Sequence, residues 1–137
     1  GVTLAGARVA VWGLAFKGGT DDLRESPALA LVEQLLAAGA TVAAHDPAAR
    51  PGAARRLAAA LAEGRLTLPN DALAACDGAD ALVVATDWPE YRAHDLAEVR
   101  RRLAHPVLVD GRNLWAPAAV AAHGLVYHSV GRATSRP

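Results

Sequence analysis

Alternating apolar and polar positions open the chain. Ala7 to Trp12 (ARVAVW) alternates into a short β-branched run that Gly13 punctuates, the pattern of a first strand. Ser26-Pro27 then pairs a hydroxyl cap with proline at the first helical position, and Leu29, Val32, Leu35 and Leu36 recur at helical spacing until Gly39 stops the turn. Thr41 to His45 reads as a second strand, closed by Asp46-Pro47 because proline can neither donate a ladder hydrogen bond nor extend the strand. Ala53 to Ala62 predicts an Ala-rich helix, Leu66 to Leu68 a minimal strand, and Asp71 to Cys76 one or two further helical turns. Ala81 to Ala85 (ALVVA) is a continuous apolar strand of the sort buried on both faces of a parallel sheet. Leu96, Val99 and Leu103 mark a helix whose other face carries Arg100, Arg101 and Arg102 into solvent. Val107 to Val109, Ala118 to Ala122 and Leu125 to Tyr127 predict a strand, a short helix and a last strand, and the tail after Gly131 is expected to fray. Strand and helix alternating throughout imply a parallel sheet with helices on both faces, joined by right-handed crossovers.

A length of 137 residues fits a single domain. The 53% hydrophobic content overstates the core, because 34 residues are Ala, which let helices pack closely but bury little area each. Lys+Arg and Asp+Glu both number 14, so net charge is zero and no nucleic acid or anionic membrane is expected as partner. No apolar run approaches the roughly 18 residues that would cross a bilayer, and no leader pattern is seen at the start. The single Cys76 cannot form an intrachain disulfide, lies beside Asp77, and reads as inert packing; the composition suits a reducing, cytoplasmic setting. His45, His94, His105, His123 and His128 are scattered without ligand spacing, so no metal is implied. With no Met, either an initiator has been trimmed or the chain is cut from something longer.

In an open α/β sheet ligands sit beyond the carboxyl ends of the strands. GLAFKGGTDDLRESP, Gly13 to Pro27, places about a dozen residues between strand and helix, where such loops usually take ~2–6. It is neither a dinucleotide fingerprint, since only Gly13 lies at the turn, nor a Walker loop, since Lys17 precedes Gly18-Gly19. Its residues suit a diphosphate instead: Gly18-Gly19 permits close backbone approach, Lys17 supplies a point charge and Arg24 a planar fork. Thirteen of the fourteen basic residues are Arg; Lys17, the one Lys, sits beside Phe16, the one Phe. Asp21-Asp22 is read as capping its own loop. Asp46 stands where dinucleotide domains grip a ribose, although Asp-Pro after a strand is also ordinary turn chemistry. Within TDWPEYR (Thr86 to Arg92), Trp88 and Tyr91 suit packing better than base stacking, and in DGRN (Asp110 to Asn113) Arg112 points at the same edge as Lys17.

These segments, with YHSVGR at Tyr127 to Arg132, resemble in order and over nearly the whole chain the C-terminal UDP-binding domain of the UDP-glucose/GDP-mannose dehydrogenase family. The resemblance implies a Rossmann-like three-layer α/β/α sandwich in which Phe16, Lys17 and Arg112 contact a UDP-sugar and Arg24 touches NAD across a cleft. It implies an NAD-dependent oxidation of a sugar's primary alcohol to a carboxylate by two hydride transfers, through thiohemiacetal and thioester intermediates on a Cys. That nucleophile, the NAD fingerprint and the usual dimer contacts belong to N-terminal and central domains outside this sequence; Cys76 matches no motif, so no catalytic residue is assigned. Two departures stand out: Gly18-Gly19 where the family often has bulkier residues, and His45 for a common Tyr. The expectation is a domain of a homodimer or larger assembly, inactive alone. A free-standing regulatory nucleotide module is the alternative; a phosphoacceptor domain is rejected because Gly13 and Arg112 replace its acids and Lys.

Overall fold

A computed structural model describes residues 4–15 and 19–137. The elements follow as β1 (Arg8–Trp12), α1 (Pro27–Ala37), β2 (Thr41–His45), α2 (Arg50–Arg56), α3 (Ala58–Ala62), β3 (Leu66–Thr67), α4 (Ala72–Ala75), β4 (Ala81–Val84), α5 (Pro89–Arg92), α6 (Leu96–Arg102), β5 (Val107–Asp110), α7 (Pro117–Ala122) and β6 (Val126–Ser129). The six strands form one sheet in the order β3-β2-β1-β4-β5-β6, and every neighbouring pair is parallel. Strand order reverses between β1 and β4, which splays the loops beyond their ends and opens a crevice there. The α/β/α expectation therefore holds.

Local chemistry sets the elements. Ser26 caps α1 by accepting from the Leu29 amide, Pro27 supplies a preset φ, and Ala28, Leu29, Val32, Leu35 and Leu36 form the buried stripe. Gly39, at φ +93°, turns the chain out of the helix, and an added Cβ there would lie 3.2 Å from the Ala5 Cα. The Ala-rich stretch differs from expectation in being two short helices: Leu57 leaves helical geometry (φ −115°, ψ 29°) while its side chain stays buried. The four-residue α5, not foreseen, exists because Tyr91 drives into the core.

Two apolar clusters fill the layers. On one face α1 and α2 cover Val9, Val11, Val42 and Ala44; on the other α4, α5, α6 and α7 cover Ala10, Trp12, Leu82, Val84, Leu108 and Tyr127. Trp12 is fully buried, stacks on Tyr91 with ring centroids 5.0 Å apart, and donates its indole N–H to the Ala72 carbonyl at 2.8 Å. Cys76 lies wholly buried in this cluster and its thiol is pushed up to about 12 by burial and then by Asp77, so it is the inert packing residue expected.

Two expectations need correction. The tail does not fray after Gly131: Ser135 exchanges both backbone hydrogen bonds with Tyr127, at 2.8 and 2.9 Å, and thereby covers the outer edge of β6. Nor is the arginine run simply solvated, since Arg102 is half-buried and bonds both Glu98 and Asp77.

The tightest constraint in the sheet is at Gly13. Its φ is +104°, and a Cβ there would lie 2.2 Å from the Thr86 Cβ. Gly13→Ala is expected to destabilise the chain by on the order of 3 kcal/mol, from strain and overlap together. Chemical denaturation checks this; a loss under about 1 kcal/mol would contradict the packing described.

Candidate functional site

The crevice beyond β1 and β4 is organised by one carboxylate. Asp46, directly after β2 and 5% exposed, accepts at Oδ2 from the amides of Leu14 (2.8 Å) and Ala15 (3.0 Å) and from the Trp88 indole (3.1 Å). Its Oδ1 accepts from the Ala48 and Ala49 amides, both at 2.8 Å. One side chain thus ties the start of the long β1–α1 loop to the turn after β2 and to the segment after β4. A ribose role for Asp46 is displaced by this geometry, because both oxygens are already occupied and the group is buried.

Further bonds fix the same loop root. The Gly13 amide donates to the His45 carbonyl at 2.7 Å, the Thr86 hydroxyl to the Ala15 carbonyl at 3.0 Å, and the Ser26 hydroxyl to the Leu14 carbonyl at 2.6 Å. Ser26 therefore caps α1 and also closes the two ends of the loop on each other. Beyond the root, Thr20 accepts from the Asp22 amide (3.1 Å), and Asp22 accepts from the Arg24 amide (2.9 Å). Asp22 caps its own loop as read from sequence. Leu23 packs down on Gly52 of α2, where an added Cβ would come within 2.8 Å of it. Nothing in the local pattern of α2 announces that glycine; only the docked loop explains it.

Each predicted site residue can now be placed. Phe16 and Lys17 lie outside the described residues, so their convergence with Arg112 does too. Arg24 is 89% exposed and forms a bidentate pair with Asp22, both bonds at 3.1 Å. That pair holds the Asp22 carboxyl below its ordinary range and raises Arg24, the hydrogen bond being the main cause of each shift. Arg112 follows β5 and is exposed; its amide bonds Asp110 at 2.8 Å, and its Nε bonds the Ala85 carbonyl at 3.2 Å. The guanidinium stem is consequently laid across the end of β4, one residue from the Thr86 hydroxyl that holds Ala15. Arg112 thus lies at the carboxyl end of β5, and its expected partner at this edge, Lys17, is outside the described residues.

Sequence reasoning missed the bracing under Arg112. Asp110 accepts from the Leu114 amide (2.7 Å) and the buried Tyr127 hydroxyl (2.6 Å). Burial, then that carboxylate, push the Tyr127 hydroxyl well above its usual range. Asn113, at φ +56°, clamps Val130 by a reciprocal pair of bonds at 3.0 and 2.9 Å, and Arg132 bonds the Trp115 carbonyl at 2.9 Å. The DGRN and YHSVGR segments are thus wired to each other. Trp88 and Tyr91 pack as expected, Tyr91 donating to the His45 carbonyl at 3.0 Å and meeting the His45 ring edge-on. Among the described residues no three His, Cys, Asp or Glu side chains gather to hold a metal, and no helix is long and apolar enough to cross a membrane.

With this geometry in place, the comparisons with known proteins fall on the same elements. Residues 10–117 match the model of the UDP-glucose/GDP-mannose dehydrogenase family, UDP binding domain. The chain belongs to that family. It is 53% identical over 127 residues to the UDP-glucose 6-dehydrogenase of Pseudomonas aeruginosa, covering 93% of this chain and 28% of that protein. A Bacillus subtilis UDP-glucose 6-dehydrogenase is 40% identical over 98% of this chain and 28% of its own length. Among solved structures, a UDP-glucose dehydrogenase from Pyrobaculum islandicum superposes with a TM-score of 0.75 at 34% identity, over 96% of this chain and 27% of that one. The chain therefore spans little more than a quarter of these family members, and within that quarter it carries the family's parallel sheet.

Three measurements test the scaffold. Asp46→Ala leaves four backbone amides without their acceptor and is expected to cost on the order of 3 kcal/mol or more in denaturant titration, whereas Trp88→Phe, which removes one donor, costs about 1. His45 is buried against Tyr91, and burial lowers its pKa below 6.5 against the opposing pull of Glu90 and Asp46. The unfolded chain therefore takes up the His45 proton first, so this residue's contribution is whole above about pH 6.5 and declines as pH falls towards the lower folded value. Urea unfolding between pH 7.5 and 5 should show a smaller pH slope in His45→Phe than in the native sequence; equal slopes would contradict the assignment.

Proposed function

We propose that this chain is the UDP-sugar-binding domain of an NAD-dependent nucleotide-sugar dehydrogenase. The reaction proposed for the whole enzyme oxidises UDP-glucose to UDP-glucuronate: the C6 alcohol loses two hydrides to two NAD and gains one oxygen from water. NAD supplies the hydride acceptor when bound. Phe16, Lys17 and Arg112 are proposed to hold the UDP-sugar, and Arg24 to face NAD. No catalytic residue of the reaction is assigned within the chain.

The observation that carries the reading is the arrangement beyond β1, β4 and β5. Arg112 lies on the Ala85 carbonyl while Thr86 grips the Ala15 carbonyl, so two adjacent residues after β4 tie the arginine and the root of the β1–α1 loop to one place. A guanidinium near a rigidly rooted, glycine-containing loop suits the paired phosphoryl groups of a nucleotide sugar. The fit to NAD is narrower. The first βα connection is long and holds no tight G-x-G-x-x-G turn, so it does not bring a pyrophosphate onto the start of α1. This supports assigning NAD mainly to portions of the enzyme beyond this chain, with Arg24 as a rim contact that would exchange Asp22 for phosphate.

Calorimetric titration tests the proposal. UDP should bind weakly and less well as salt rises. Arg112→Ala and Lys17→Ala should each weaken binding about tenfold, a loss of ~1.5 kcal/mol for a charge-assisted contact. Unchanged affinity in both variants would overturn the site. The chain alone with UDP-glucose and NAD should give no absorbance at the NADH band, and steady NADH production would overturn the division of labour proposed here.

A further inference from the structure

Among the described residues, the non-glycine positions with left-handed backbone are Glu25, at φ +54°, and Asn113, at φ +56°, and both lie in connections that follow a strand at the candidate site. Such residues are uncommon, because the Cβ crowds the carbonyl that follows it, and Asn tolerates the conformation better than Glu. Asn113 is accounted for, since its side chain clamps Val130 with two hydrogen bonds. Glu25 is not. Its side chain is exposed, and its carboxylate has no hydrogen-bond donor or ion-pair partner among the described residues.

The flanking residues hold this conformation in place. The Ser26 amide donates to the Leu23 carbonyl at 3.2 Å and closes a β-turn over Leu23-Arg24-Glu25-Ser26. Both ends of the turn are anchored: Leu23 sits on Gly52 of α2, and the buried Ser26 hydroxyl bonds the Leu14 carbonyl while capping α1. Glu25 therefore occupies the third position of the turn, where a positive φ favours Gly or Asn. Glycine would make the same turn without a Cβ to strain. A carboxylate one residue before the cap does face the positive end of α1, but an acid in the first helical turn gives that benefit without left-handed backbone, and α1 has none there. A charged side chain held at a strained and exposed position points to a contact outside the chain. Its neighbour indicates which. Arg24, at the second position of the turn, is 89% exposed, and consecutive Cα atoms lie only ~3.8 Å apart. A guanidinium suits phosphate, whereas an ionised carboxylate only accepts and so suits hydroxyls. Phosphate joined to a sugar diol is the unit that both halves of NAD carry, and acidic side chains hold ribose hydroxyls in dinucleotide sites. Asp46 cannot serve in this way, being buried with both oxygens filled.

We infer that Glu25 is a cofactor-facing residue: its carboxylate accepts hydrogen bonds from ribose hydroxyls of NAD while Arg24, beside it on the turn, takes a phosphate of the same molecule. The inference rests on reading Arg24 as an NAD contact. It gives the strained turn a purpose, since the left-handed residue sets an acceptor and a cation side by side at the tip of a loop whose ends are fixed.

The test is an NMR titration of the isotope-labelled 137-residue chain with NAD and, separately, with inorganic pyrophosphate, read from the amides of Thr20 to Ser26. Pyrophosphate offers the phosphates without the hydroxyls. Glu25→Gln and Glu25→Gly should each weaken NAD by at least about fivefold, the size of a lost hydrogen bond to a charged group, and leave pyrophosphate unchanged or tighter because a negative charge has gone. Arg24→Ala should weaken both probes. If Arg24→Ala weakens NAD and neither Glu25 variant does, the inference is overturned and the reading of Arg24 stands. If NAD shifts none of these amides in the native chain, or binds all three variants equally, the reading of Arg24 fails and takes the inference with it. Weakening of pyrophosphate by the Glu25 variants, to the same degree as NAD, would make Glu25 a support for the turn and overturn the inference as well. Thermal unfolding checks the strain on which the argument stands. Glu25→Gly should raise the melting temperature by about 2–5 °C, and Glu25→Gln, which keeps the Cβ, should leave it within about 2 °C. A fall of more than about 3 °C in both variants would make the carboxylate part of the domain's own framework and overturn the inference. UDP affinity of the same variants should not change, so the nucleotide-sugar site is judged separately.

Discussion

The carboxylate of Asp46 is the contact on which the candidate site depends. Five N–H groups converge on its two oxygens, from Leu14, Ala15, Ala48, Ala49 and Trp88. A buried ionised group is tolerable only when its lone pairs are filled, and filling them draws three separate connections to one point. The loop after β1 leaves the sheet in a defined direction for that reason, although it is far longer than its connection requires. Thr86 and Ser26 then act on carbonyls of the same two residues that donate to Asp46, so donors and acceptors of Leu14 and Ala15 are all used.

A second tie repeats the device at the other end of the crevice. Asp110 receives the Arg112 and Leu114 amides and the Tyr127 hydroxyl, while Asn113 adopts left-handed geometry to hold Val130. Arg112 is thereby presented from a braced turn. In both places an acid at the carboxyl end of a strand accepts from backbone amides of the connection that follows. Among the motif residues of the family resemblance, Asp46, Ser26, Asp110 and Asn113 build this frame, and Arg112 is carried on it.

The asymmetry of the sheet follows from the same topology. Crossovers β1 to β3 put their helices on one face and crossovers β3 to β6 put theirs on the other, so each half of the sheet receives a helix layer on one side. Helix α1 reaches the boundary between the halves, and beyond it the valines of β5 and β6 join neither cluster. The domain is a sheet with two cores, one on each face.

Much of this fold was legible from residue order alone. The alternating apolar run of β1, the continuous apolar runs of β4 and β5, the Ser26-Pro27 start of α1 and its stop at Gly39 are local signals, set by side-chain burial, capping and φ preference within a few residues. The Arg112 side of the candidate site was legible too, because in an open parallel sheet the strand end determines where its following loop must lie. What only the tertiary structure decided is partnership across the sequence: that Asp46 serves Leu14 rather than a ribose, that Gly13 must be glycine because Thr86 presses on it, that Gly52 accommodates Leu23, and that Ser135 stops the tail from fraying. Each joins residues that no local pattern relates, since hydrogen-bond valence and excluded volume are settled only when distant segments are brought within about 3 Å of one another.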